Sequence, residues 1–306
     1  MTIRYGTRGS KLALHQTRHA IELIKSTSSQ EVDFEEIIIK TLGDQVTGLP
    51  LFKVGGQGLF IKEIEQALLE KRIDIAVHSL KDVPHSVADG LTLIAIGCAE
   101  DPRDCFLSKK YKNFEEMPVD AIIGTSSLRR RSQLSILKPG ARFSDFRGNL
   151  DTRLKKLEDG EVDAIILAAA GISRFGWQNK ITQYFAIDDL TPAAGQGLIA
   201  IECRIEDIDK LTPIMSGFID SQAMLRSKAE RTFLDILQGG CQTPMAAFAE
   251  VTSKDIILHT FIGSPDGTDT IRNIHIGSLN KPEELGKEAA EAILEIGGDR
   301  FLNSQQ

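Results

Sequence analysis

The apolar positions of this chain change their period as the sequence proceeds. Through the N-terminal third, short apolar runs at 32–41, 73–77 and 91–97 read as strands, and segments 11–25 and 60–71 carry Leu, Ile and Ala on one face at helical spacing. Alternation of the two predicts a mostly parallel sheet covered by helices. A second series repeats the rhythm: strand 121–124, helix 128–137, strand 141–146, helix 150–159 and strand 162–168. From residue 219 onward the pattern differs. A long helix over 221–237 precedes alternating segments at 247–252, 256–262 and 270–276, and a last helix covers 281–296. Strands without intervening helices predict an antiparallel α+β domain.

Two polar, small-residue stretches separate these series. Cys98-Ala99-Glu100-Asp101-Pro102-Arg103-Asp104 is turn-like, and Thr191-Pro192-Ala193-Ala194-Gly195-Gln196-Gly197 precedes another apolar run at 198–203. Both read as crossings between units. The segment 41–58 is too long and glycine-rich for a simple connector, and such loops are lids or disordered segments. At 306 residues the chain exceeds what one hydrophobic core supports, so two or three domains are expected.

Composition narrows the class. The formal net charge is −7, from 36 basic and 43 acidic residues, which argues against nucleic acid as a general partner. No stretch of eighteen apolar residues exists, and Met1-Thr2-Ile3-Arg4-Tyr5-Gly6 lacks the apolar core of a secretory signal. A soluble, cytoplasmic protein without membrane contact is therefore expected. Cys98, Cys105, Cys203 and Cys241 show no C-x-x-C spacing, and the six histidines are scattered, so neither a metal site nor a disulfide framework is expected. His15 and His19 lie four apart on one helix but have no acidic third ligand. Cys98, Cys105 and Cys203 sit in or beside apolar runs and read as core.

Against the acidic background, seven of the seventeen arginines fall between Arg129 and Arg174. Most follow a strand end and accompany glycine or hydroxyl residues just before a helical pattern. Thr7-Arg8-Gly9-Ser10, Gly124-Thr125-Ser126-Ser127-Leu128-Arg129-Arg130-Arg131 and Arg147-Gly148-Asn149 share that grammar. A helix start offers free N–H groups and partial positive charge, and Ser, Thr and Arg there make a seat for carboxylate or phosphate. A single arginine reads equally well as solvated. Several at the turns of one α/β unit repel one another unless an anion lies among them.

Two other segments carry candidate chemistry. His78-Ser79-Leu80-Lys81-Asp82-Val83-Pro84 follows an apolar strand, at the edge where open α/β sheets bind ligands. Asp82 is placed to act as an acid or base there, although an exposed turn with a screened ion pair accounts for the same residues. Gly239-Gly240 leaves Cys241 sterically open for thiolate chemistry, and a small apolar plug is the competing reading.

Together these segments closely resemble the porphobilinogen deaminase (hydroxymethylbilane synthase) family. The matching blocks are Thr7–Leu14, Gly58–Glu63, His78–Pro84, Gly124–Arg130, Arg147–Arg153, Pro192–Gly197 and Gly240–Pro244, in order along nearly the whole chain. The resemblance implies a three-domain α/β architecture: two doubly wound, periplasmic-binding-protein-like domains, over 1–98 with 195–216 and over 99–194, and an antiparallel α+β domain over 219–306. It implies a monomer that adds four porphobilinogen molecules, one at a time, to a dipyrromethane cofactor held by Cys241 through a thioether, releasing ammonia and hydroxymethylbilane.

By the same resemblance, Asp82 is the catalytic carboxylate, steadying the positive charge on pyrrole nitrogen. Lys81, Thr125, Ser126, Ser127, Arg129, Arg130, Arg147, Gly148 and Gly171 accompany Cys241 at the cofactor. Arg8, Ser10, Gln16, Phe60, Arg147, Arg153 and Arg174 meet the substrate, and 41–58 with Asp44 forms a lid. Gly9, Lys11, Thr243 and Phe248 depart from the commonest family pattern, and none is given a chemical role. A non-catalytic two-domain anion binder explains the arginines equally well but leaves Cys241 and a third domain without purpose. A cysteine hydrolase lacks an evident Cys–His–Asp arrangement.

Overall fold

Strand β1 (Thr2–Arg8) gives way to helix α1 (Lys11–Thr27) through Ser10, whose side-chain oxygen accepts the Ala13 backbone N–H at 3.3 Å. That is the N-cap role for which a hydroxyl is favoured. The computed structural model describes residues 1–42, 61–84, 86–238 and 243–302. They fall into two compact units, 1–100 with 197–227 and 101–196 with 228–306.

The first unit is built on β1, β2 (Asp33–Ile39), β3 (Ile75–Ser79), β4 (Leu91–Gly97) and β10 (Ile199–Arg204), in the order β2-β1-β3-β10-β4. The two-residue alternation of the strands separates two cores. Ile75 and Val77 of β3, with Ile199, Ile201 and Cys203 of β10, pack with Ala20, Ile21 and Ile24 of α1 and with Leu211, Ile214 and Met215 of α6 (Ile208–Met215). On the opposite parity, Ala76 packs with Ile64, Ala67 and Leu68 of α2 (Lys62–Leu69). Helices on both faces make this a doubly wound sheet. It is less parallel than expected, because β10 runs antiparallel to both β3 and β4. The chain enters β10 only after its excursion through 101–196, and an antiparallel insertion needs no crossover helix of its own.

The second unit repeats the plan. Its strands β5 (Asp104–Ser108), β6 (Ile122–Gly124), β7 (Arg142–Ser144), β8 (Ala164–Ala168) and β9 (Gln183–Tyr184) are ordered β7-β6-β8-β5-β9, with β5 antiparallel to both neighbours. Helices α3 (Leu128–Leu137), α4 (Leu150–Glu158) and the short α5 (Ala169–Arg174) follow β6, β7 and β8. Gly124 ends β6 where a Cβ would lie 2.7 Å from the Phe146 ring, so only glycine lets that ring close the core.

The same unit holds an antiparallel meander, β11 (Met245–Val251), β12 (Asp255–Gly263) and β13 (Thr270–Ser278), as the C-terminal pattern predicts. Helix α7 (Ser221–Leu237) precedes it and α8 (Pro282–Glu295) follows. Among the described residues no helix is long and apolar enough to cross a membrane.

Candidate active site

In the first unit, polar side chains gather at the C-terminal ends of parallel strands. Arg8 closes β1, Ser79 closes β3, and a 3-10 turn, Leu80–Asp82, continues directly. Leu80 is buried and its N–H donates to the Leu198 carbonyl at 2.9 Å, which pins the turn while leaving Lys81 and Asp82 at the surface. Arg8, Ser10, Gln16, His78, Ser79 and Asp82 line one cavity of about 60 Å3. Its polar wall is pre-set. The Ser79 hydroxyl donates to Gln16 Oε1 at 2.9 Å, and buried His78 Nε2 lies 3.0 Å from Glu202 Oε2. Among the described residues none hydrogen-bonds the Asp82 carboxylate, which leaves it available to a ligand.

In the second unit the hydroxyl-rich turn after β6 is largely self-satisfied. Ser127 caps α3 by accepting the Arg130 N–H at 3.4 Å, Thr125 Oγ1 accepts the Ser127 N–H at 3.3 Å, and Ser126 Oγ accepts the Phe146 N–H at 2.9 Å. Arg129 and Arg130 point inward. Buried Asp104 accepts from Arg129 Nη1 at 2.7 Å and from Arg130 Nε and Nη2 at 3.0 and 2.7 Å. Burial alone would raise that carboxyl's pKa, but the two guanidinium charges hold it well below the ordinary range.

Arg153 is different. Its Nε donates to the Gly148 carbonyl at 2.8 Å, and no described carboxylate pairs with it. Burial, and then the charges of Arg130 and Arg147, press its pKa down to about 10. A guanidinium so placed gains from any anion brought beside it. Gly148 itself has φ +118°, and a Cβ there would lie 2.9 Å from Thr152 Cγ2, so the turn between Arg147 and α4 demands glycine. Gly171 and Arg174 lie on α5, both partly buried. Asp44, Phe60 and Cys241 lie outside the described residues, as does most of the proposed lid.

Two family models match the chain. Residues 3–212 match "Porphobilinogen deaminase, dipyromethane cofactor binding domain" and residues 224–295 match "Porphobilinogen deaminase, C-terminal domain". The porphobilinogen deaminase of Brevibacillus brevis is 46% identical over 300 residues, covering 98% of this chain and 96% of that protein. That of Bacillus subtilis is 45% identical over 305 residues, covering 99% and 96%. The chain belongs to the porphobilinogen deaminase family. Among solved structures, a nutrient-binding protein from Burkholderia cenocepacia bound to methionine matches at 13% identity with a TM-score of 0.43, over 71% of this chain and 91% of that one.

Within this porphobilinogen deaminase fold, Arg8, Ser10, Gln16 and Asp82 share a single cavity, whereas Lys81 is on the same turn but outside its lining. Arg147, Gly148 and Arg153 form a second group in the other unit. Sequence reasoning overlooked Asp104, whose signal is a lone carboxylate opening the strand Asp104-Cys105-Phe106-Leu107-Ser108. It also overlooked Glu202, a charge inside the fully buried strand β10, where an acid requires a partner. Cys105 and Cys203 are buried with thiol pKa values pushed up to about 12, mainly by burial. Cys98 is partly buried, packed against the first core at φ +50°.

Proposed function

We propose that this protein is a hydroxymethylbilane synthase, a transferase that condenses four porphobilinogen molecules head to tail and releases ammonia and hydroxymethylbilane for tetrapyrrole biosynthesis. The observation that carries the reading is Arg153, a partly buried guanidinium that donates to a carbonyl, faces no described carboxylate, and has its charge disfavoured by burial and then by Arg130 and Arg147. Porphobilinogen bears an acetate and a propionate on each ring, and a growing chain adds two carboxylates per step. Planar guanidinium groups suit such ligands.

The donor set also fits a dipyrromethane, whose four carboxylates match the cations Arg147, Arg153 and Arg174 and the N–H groups opening α3 and α4. Bound through the sulfur of Cys241, that group would supply a tethered pyrrole chain with a free α-carbon. Asp82 steadies the positive charge that develops on pyrrole nitrogen as ammonia departs, because its carboxylate is exposed to the cavity and unengaged by described residues. Arg8, Ser10 and Gln16 orient the incoming molecule at the same cavity. Lys81 and Gly171 serve the cofactor, and Phe60 serves the substrate. Residues 219–306, with the meander and Cys241, are read as a third domain. The protein is read as a cytoplasmic monomer with no nucleic-acid partner, in keeping with its net charge of −7.

Intact-mass measurement of freshly purified active protein tests this directly. A mass excess of two pyrrole units is expected, absent from Cys241→Ser, together with consumption of porphobilinogen. A bare polypeptide mass in an active preparation overturns it.

A further inference from the structure

His78 and Glu202 form a buried polar pair that the condensation described above leaves without a task. Their side chains are 4% and 0% exposed, and Nε2 lies 3.0 Å from Glu202 Oε2. Both belong to the alternate parity of their strands, facing α2. Among the described residues Glu202 Oε1 has no hydrogen-bond partner, so the imidazole is the one described group that engages this carboxylate. A second acid approaches from α2. Glu65, whose Oε1 accepts the Ala88 N–H at 3.1 Å, has its pKa raised by burial and further by the charge on Glu202, with His78 and Lys62 opposing. Glu202 thus holds the ring in the interior, and His78 shares the lining of the cavity with Arg8 and Asp82.

The tautomer that donates from Nε2 to Glu202 leaves Nδ1 as the accepting nitrogen of the ring. Nδ1 is then the ring nitrogen left to serve the cavity. A base held by a hydrogen-bonded carboxylate, in a wall shared with a reactive site, is the arrangement that orients a proton acceptor.

We propose that His78 is the base that takes the α-proton during each condensation, and that Glu202 is its positioning residue. The proposal rests on the porphobilinogen-condensing reading. When the methylene carbon of one unit bonds to the α-carbon of the acceptor pyrrole, the α C–H bond breaks and its electron pair returns to the ring. The proton goes to His78 Nδ1, and Glu202 stabilises the resulting imidazolium. It then passes to the ammonia released in the same turn, which leaves as ammonium and restores the base. Asp82 is thereby relieved of proton removal and keeps the electrostatic role.

The test uses holoenzyme whose dipyrromethane load is verified by mass. His78→Gln keeps an amide within reach of Glu202 but has no base toward the cavity. Its kcat should fall about 10²–10⁴-fold with KM nearly unchanged, the range expected for loss of a general base. Porphobilinogen deuterated at the free α-position should then show a primary isotope effect larger than in the wild type, and added imidazole should partly restore His78→Ala. Near-normal kcat in His78→Gln, or a loss with neither isotope effect nor imidazole rescue, refutes the assignment. Independently of turnover, 15N NMR should find the His78 ring protonated at Nε2 and bare at Nδ1, with that preference weakened in Glu202→Gln; a proton on Nδ1 of the neutral ring refutes it as well. Wild-type protein that carries no dipyrromethane and ignores porphobilinogen sinks the functional reading itself. Active wild type with an indifferent His78 sinks only this inference.

Discussion

Replacing Asp104 with asparagine deletes one negative charge from a place water does not reach. Its Oδ2 is 2.7 Å from Arg129 Nη1, and its Oδ1 is 3.0 and 2.7 Å from Arg130 Nε and Nη2 and 3.1 Å from Gln196 Nε2. The carboxylate is 0% exposed and the two arginines are 7% exposed, so Asp104→Asn leaves two buried guanidinium groups uncompensated. Breaking a buried ion pair from one side costs about 3–5 kcal/mol. With a urea m-value of about 1–3 kcal/mol/M, the unfolding midpoint should fall by at least about 1 M. Trp177, the chain's single tryptophan, belongs to the same unit, so its fluorescence reports the affected transition.

The pH dependence has a definite sign. The Asp104 pKa is depressed in the fold, so its stabilisation is complete above the unfolded carboxyl value of about 3.9 and is lost as pH falls through the lower folded value. The gap between wild type and variant should stay constant from neutral pH down to about 5 and narrow only below about 4. A stability loss below about 1 kcal/mol, or a gap that closes near neutrality, contradicts the reasoning.

Asp82→Ala should fold with wild-type stability, because the side chain is exposed, yet turn over about 10²–10³-fold more slowly; near-normal turnover removes Asp82 from the mechanism. Arg153→Gln should weaken porphobilinogen use about tenfold or more, the worth of a charged hydrogen bond, while leaving thermal stability equal or higher because repulsion with Arg130 and Arg147 is relieved. A clear drop in melting temperature would count against that. Under native conditions at neutral pH, iodoacetamide should spare Cys105 and Cys203, whose thiols are buried and held near 12; mass-mapped alkylation of either one refutes their description as core.

The periodicity of the chain located most elements, because strands and helices that bury one side must announce it in their apolar spacing. Helices 128–137 and 221–237 appear with the expected bounds. The direction of β10 was not legible, since an apolar run buried on both faces reads the same either way along the sheet. Helix α6 escaped notice because Pro213 interrupts its pattern, and β9 because two residues carry no period at all. For the site, the sequence put Arg8 and Asp82 each at a strand end, and in the fold both line one cavity. Spacing could not tell Arg153, which faces no described carboxylate, from Arg129 and Arg130, which are consumed by Asp104, because that partner lies 25 residues away in sequence.

The late arrival of β10 sets a timetable for biosynthesis. Between β3 and β4 the sheet has a gap that residues 199–204 fill, and the ribosome must first make every strand of the second unit's five-stranded sheet. Until then the nascent N-terminal portion presents two unpaired strand edges to anything nearby, while the later segment can already close on itself. Translation halted near residue 195 should leave the portion built on β1–β4 dependent on chaperones.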